Sequence, residues 1–84
     1  MTVHVKILGP GCPNCENVEK NARAAANQLG IDATFEKVKD REEFARYGLL
    51  YTPGLVINDR LVSGGRIPGV PEVVTMLANA TQEL

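Results

Sequence analysis

The stretch Gly9-Pro10-Gly11-Cys12-Pro13-Asn14-Cys15 holds both cysteines of the 84-residue chain, two residues apart. An apolar run, Val3 to Leu8, precedes it, and a long helical pattern follows from Pro13. A Cys-x-x-Cys between a strand and a helix has a definite chemical use. The first thiol can sit at the helix N-terminus, where unpaired backbone N–H groups and the helix dipole favour an anion. A thiolate is that anion, and it is the reactive form of cysteine. Pro13 suits the first helical turn, because its fixed φ is helical and its missing N–H is not needed there. Cys15, three residues beyond Cys12, then faces the same side of the helix, one turn deeper.

Outward from this motif, Val3, Val5 and Ile7 alternate with His4 and Lys6, which reads as a strand with one buried face. The alternation breaks at Leu8, and Gly9-Pro10-Gly11 ends the strand. His4, the only histidine, reads as a solvent-facing strand residue rather than a ligand. From Pro13 to Leu29 the apolar residues Val18, Ala22, Ala25, Ala26 and Leu29 recur at helical steps, and Gly30 is a natural C-cap. Ala33 to Val38 predicts a second strand. Asp40-Arg41-Glu42-Glu43 predicts a capping box, with Asp40 as N-cap and Glu43 reaching back. The short helix it opens turns Phe44 and Tyr47 to the core and stops at Gly48. Leu55-Val56-Ile57 and Leu61-Val62 flank Asn58-Asp59-Arg60, a hairpin pattern closed by Ser63-Gly64-Gly65. Pro68-Gly69-Val70-Pro71 opens a last helix with the stripe Val70, Val73, Val74, Met76, Leu77 and Ala80. The order is βαβαββα. A strand–helix–strand start implies a parallel pair with a right-handed crossover, and the hairpin adds an antiparallel pair. The prediction is an α/β fold: a mixed four-stranded sheet with three helices, spanning residues 1–84 as a single domain.

Composition narrows the function. Net charge is −1, and the lysines and arginines are dispersed among acids, which argues against a nucleic-acid partner. No apolar run reaches the length a membrane span needs. The strand pattern starting at Val3 leaves no room for a signal peptide, so a cytoplasmic protein is expected. In that compartment a cysteine pair is catalytic, redox-sensing or metal-binding more often than a structural staple.

The Cys-Pro-Asn-Cys at the first helix, Thr52-Pro53 before the third strand and Gly64-Gly65 after the hairpin together resemble the thioredoxin-like superfamily. The chain looks most like the short members, the small redox-active disulfide proteins, which lack thioredoxin's extra N-terminal strand and helix. The resemblance covers nearly the whole chain. It implies that Cys12 is the nucleophile and Cys15 the resolving thiol, joined as a Cys12–Cys15 disulfide in the oxidised state. It implies that Pro13 and Asn14 support the site, and that Pro53 is the family's cis-proline, preceded by Thr52. Gly64 and Gly65 resemble the double glycine that glutaredoxins use near glutathione, which makes them candidate substrate or thiol contacts. The chain departs from both relatives. Arg66, Ile67 and Pro68 follow the glycines where glutaredoxins soon carry an acid. Gly11 stands where thioredoxin has a tryptophan, and Lys6 where it has a buried aspartate.

The function this implies is thiol–disulfide exchange, with electron transport and redox homeostasis as its setting. The partners would be disulfide-containing protein substrates and a reductase. The resemblance implies no organic cofactor and no metal, and the chain is expected as a monomer. Two other classes stay open. Heavy-metal-associated domains also place Cys-x-x-Cys after a first strand, and two thiolates can hold a soft metal or metalloid ion. A non-catalytic module could also keep the fold and use the cysteines as a redox sensor.

Overall fold

The computed structural model describes residues 2–10 and 13–82; Met1, Gly11, Cys12, Glu83 and Leu84 lie outside the described residues. The elements are β1 (Val3–Leu8), α1 (Pro13–Leu29), β2 (Ala33–Val38), α2 (Arg41–Arg46), β3 (Gly54–Ile57), β4 (Arg60–Gly64) and α3 (Val70–Gln82). The order βαβαββα is the one the sequence predicts.

The four strands form one mixed sheet in the order β2-β1-β3-β4. β1 and β2 are parallel, from Val3↔Ala33 to Leu8↔Val38. A parallel neighbour requires the chain to cross back over one face, and α1 is that crossover. β3 runs antiparallel to β1, and β4 antiparallel to β3.

Both faces are covered. Val3, Val5 and Ile7 of β1, with Leu55 and Ile57 of β3, point to the side where α1 and α3 pack. There they meet Val18, Ala22, Ala25 and Ala26 of α1 and Val73 and Leu77 of α3. Ala22 and Ala25 are fully buried and let the helices lie close to the sheet and to each other. Burying a side chain such as Ile7 or Leu55 stabilises the fold by about 1.5–3 kcal/mol. Leu8, Val38 and Val56 point the other way, beneath Phe44, Tyr47, Leu49 and Leu61. The break in alternation at Leu8 thus marks a strand buried on both sides near its end.

Two local details differ from the sequence reading. Asp40 does cap α2, its side chain accepting from the Glu42 N–H at 2.9 Å. Glu43, however, does not reach back: its carboxylate takes the Arg46 guanidinium at 2.9 Å, one turn ahead on the same helix. The hairpin turn is the Asn58-Asp59 pair, as the sequence suggests. Asn58 (φ +50°) and Asp59 (φ +67°) both adopt the left-handed region, the type I′ geometry whose twist matches the flanking strands. Arg60 is therefore already a strand residue, paired with Ile57. The last strand is also longer than Leu61-Val62, running Arg60–Gly64. It carries a bulge: Leu55 faces Ser63 and Val56 faces Leu61, so Val62 is the extra residue.

Candidate active site

The sheet register brings separate parts of the sequence to one end of the molecule. Leu8, the last residue of β1, pairs with Gly54, the first of β3, and Gly54 in turn pairs with Gly64. The residues just beyond these partners are Gly9, Pro53 and Gly65. Each is anchored by a backbone bond: Gly9 N–H donates to the Val38 carbonyl at 2.9 Å, and Gly65 N–H to the Pro53 carbonyl at 3.0 Å. Gly9, Thr52-Pro53 and Gly64-Gly65 therefore share the end of the sheet where β1 stops and β3 starts.

Cys15 lies in the first helical turn of α1 and is buried, 5% exposed, within the core under that helix. Its sulfur fills the space a side chain on Gly9 would take, since a Cβ built there falls 2.1 Å from Cys15 Sγ. Gly9 is thus bare because the thiol packs on its backbone. Pro13 and Asn14 are exposed at the start of the helix. Cys12, and with it the Cys12–Cys15 pairing, lies outside the described residues.

The Thr52–Pro53 peptide bond is cis. Pro53 is buried and Thr52 exposed. Just ahead, Leu50 and Tyr51 present large apolar side chains to solvent, 86% and 74% exposed. Leu49, by contrast, turns inward over the sheet. Its methyl carbons occupy the positions a Cβ on Gly54 or Gly64 would need, at 2.8 and 2.7 Å. Tyr51 lies against Gly65, its Cβ 3.1 Å from where that residue's own Cβ would stand. The double glycine thus receives this chain's own Leu49 and Tyr51. Neither contact is visible in the sequence, because only the cross-strand register Gly54↔Gly64 opens the slot for Leu49.

Lys6, Arg66 and His4 are each held by a side-chain partner. Lys6 belongs to the opposite face of β1, where its ammonium donates to Tyr47 Oη at 3.0 Å and lies 5.5 Å from that ring's centre. The bond to Tyr47 is the chief reason its pKa is raised. Lys6 is therefore neither free in solvent nor directed at the motif. Arg66 pairs with Glu72 in the first turn of α3, Nη1 to Oε1 at 2.9 Å. His4 hydrogen-bonds Thr34 Oγ1 at 2.8 Å on the exposed sheet surface. Among the described residues no three of His, Cys, Asp and Glu are grouped as a metal-ligand set, and no helix is long and apolar enough to cross a membrane.

A mixed sheet of order β2-β1-β3-β4 sandwiched between helices, with a cis-proline immediately ahead of β3, defines a thioredoxin fold. The germline-specific thioredoxin Deadhead of Drosophila melanogaster shares that fold. It aligns with a TM-score of 0.57 over 99% of this chain and 81% of its own, at 20% identity. The sequence comparisons go further. A family model described as a thioredoxin domain matches residues 3–78. A thioredoxin of Methanothermobacter thermautotrophicus is 42% identical over 74 residues, 88% of this chain and 96% of its own length. A thioredoxin of Methanocaldococcus jannaschii is 41% identical over 71 residues, 84% of this chain and 81% of its own. The chain belongs to the thioredoxin family. Membership supports, in general terms, a thiol–disulfide oxidoreductase.

Proposed function

We propose that the chain reduces or exchanges disulfides in protein partners through the Cys12-Pro13-Asn14-Cys15 dithiol. The observation that carries this reading is the convergence of Gly9 and Thr52-Pro53 at one sheet end, with the Cys15 thiol packed on the bare backbone of that glycine. Cys12, ahead of α1, is the thiol favoured as a thiolate, because it is nearer the helix N-terminus. Its thiolate attacks one sulfur of the partner's disulfide, forms a mixed disulfide and expels the other sulfur as a thiolate, which takes a proton from water. Cys15 then loses its proton and attacks the Cys12 sulfur. The second partner thiol leaves, and the two electrons that reduced the partner are balanced by the new Cys12–Cys15 disulfide. A reductase that delivers two electrons restores the dithiol. The burial of Cys15 suits this order of events, since a thiol covered by the core meets Cys12 more readily than a bulky substrate.

The assignment of roles is tested by trapping. A Cys15→Ser variant exposed to a cell extract accumulates mixed disulfides through Cys12, whereas Cys12→Ser accumulates none. The reverse pattern would overturn it. Titration of the thiols against a glutathione buffer adds a second check. A single two-electron transition near about −270 mV marks a thioredoxin-like reductant, and one near about −200 mV a glutaredoxin-like exchanger.

A further inference from the structure

A cleft of about 330 Å³ opens beside the motif loop, lined by Pro10, Lys39, Arg41, Phe44, Leu49 and Thr52. Its two ends bear on the proposed chemistry. Pro10 belongs to the loop that carries the cysteines, and Thr52 immediately precedes cis-Pro53. Its floor, from Phe44 and Leu49, is apolar and continues the second core cluster. Its rim is positive. Lys39 and Arg41 are exposed, and among the described residues neither makes an ion pair. Four other cations are held by carboxylates: Lys37 and Arg23 hold Glu19, Arg46 holds Glu43, and Arg66 holds Glu72. The carboxylate of Asp40, between the two rim cations in sequence, is turned to the Glu42 N–H of its own helix.

From this we propose that the cleft is a specificity site for the protein substrate, seating an extended segment next to the target disulfide that carries an acidic side chain beside an apolar one. The proposal rests on the oxidoreductase reading above and adds to it the class of substrate preferred. The physical argument is complementarity. Two unpaired cations at the rim of an apolar groove attract a carboxylate and repel a lysine or arginine, while Phe44 and Leu49 take the neighbouring apolar side chain. Such exposed charges act on encounter and choice of partner more than on raw affinity. Leu50 and Tyr51, exposed on the same loop as Thr52, extend the apolar surface such a segment would cross.

The test compares three cyclic disulfide peptides that differ at one flanking position, bearing glutamate, glutamine or lysine there. Each is reduced by the pre-reduced full chain under single-turnover conditions, with hydroxyethyl disulfide as a substrate that has no flanks. The expected order is glutamate, glutamine, lysine, with about a fivefold span between the ends at low salt that shrinks as salt screens the rim. The double variant Lys39→Glu/Arg41→Glu inverts the order. Because the readout is a ratio between peptides, it does not depend on how much of the variant is active. Equal rates for the three peptides, or a glutamate preference that the double variant keeps, would overturn the docking proposal. Failure of the unaltered chain to reduce hydroxyethyl disulfide at all would instead overturn the oxidoreductase reading on which it stands.

Discussion

Gly9→Ala tests the packing of the candidate site most directly. The new Cβ would stand 2.1 Å from Cys15 Sγ, where ordinary contact begins at 3.4 Å, so something must yield by about 1.3 Å. The φ of Gly9 is outside the left-handed region, so alanine meets no backbone strain there and the clash is the whole effect. The strand cannot easily retreat. Gly9 N–H is held to Val38 at 2.9 Å, and the neighbouring Leu8 is fully buried. Nor can the sulfur, which is embedded among Val18, Ile7 and their neighbours. Overpacking of this kind costs about 2 kcal/mol. In a domain of this size that lowers Tm by about 10 °C. The measurement is thermal and urea unfolding under reducing conditions, in two backgrounds. In Cys15→Ala the sulfur is gone, and the new Cβ meets only the Cys15 Cβ position at 3.4 Å, an ordinary contact. Gly9→Ala should then cost under about 0.5 kcal/mol, leaving a coupling energy above about 1 kcal/mol between the two sites. An equal cost in both backgrounds, or a negligible cost beside the native thiol, would refute the claim that the sulfur explains the glycine.

Two further outcomes follow from local interactions away from the cysteines. Asp40→Ala removes the cap of a six-residue helix and should lower stability by about 1 kcal/mol, while Asp40→Asn should retain most of it; an unchanged urea midpoint for the alanine would contradict the capping role. Burial alone would raise the Glu19 carboxyl, but Lys37 and Arg23 outweigh it and hold its pKa below the ordinary 4.5. A carboxyl depressed in the folded state adds stability above its unfolded pKa and loses it as pH falls through the folded one. The Tm gap between the native chain and Glu19→Gln should therefore be widest at neutral pH and close in acid; a gap independent of pH would rule this out.

Much of the architecture was legible in the residues. Alternation over Val3–Ile7, the three- and four-residue steps from Val18 to Leu29, and the alanine content of that stretch locate β1 and α1, because periodicity of burial is written directly into the side chains. Gly30 as a left-handed cap, Asp40 as an N-cap and Asn58-Asp59 as a tight turn are likewise local chemistry, each settled within a few residues. Sequence reading missed what depends on a partner far along the chain. Lys6 finds Tyr47, 41 residues on. The bulge at Val62 arises from how β4 must bend against β3.

The candidate site divides in the same way. By itself the sequence determined the chemistry available: two thiols at a Cys-x-x-Cys spacing between a strand and a helix, a proline after Thr52, and a fold order that brings them into one sheet. Only the tertiary structure decided which surfaces those groups share. Leu49 filling the slot left by Gly54 and Gly64, the Cys15 sulfur resting on Gly9, and Lys39 and Arg41 beside the loop of the cysteines all follow from strand register. Periodicity tells which face a residue takes, but a pairing offset by a single residue would reverse those faces, and that offset is fixed by the packing of the whole sheet.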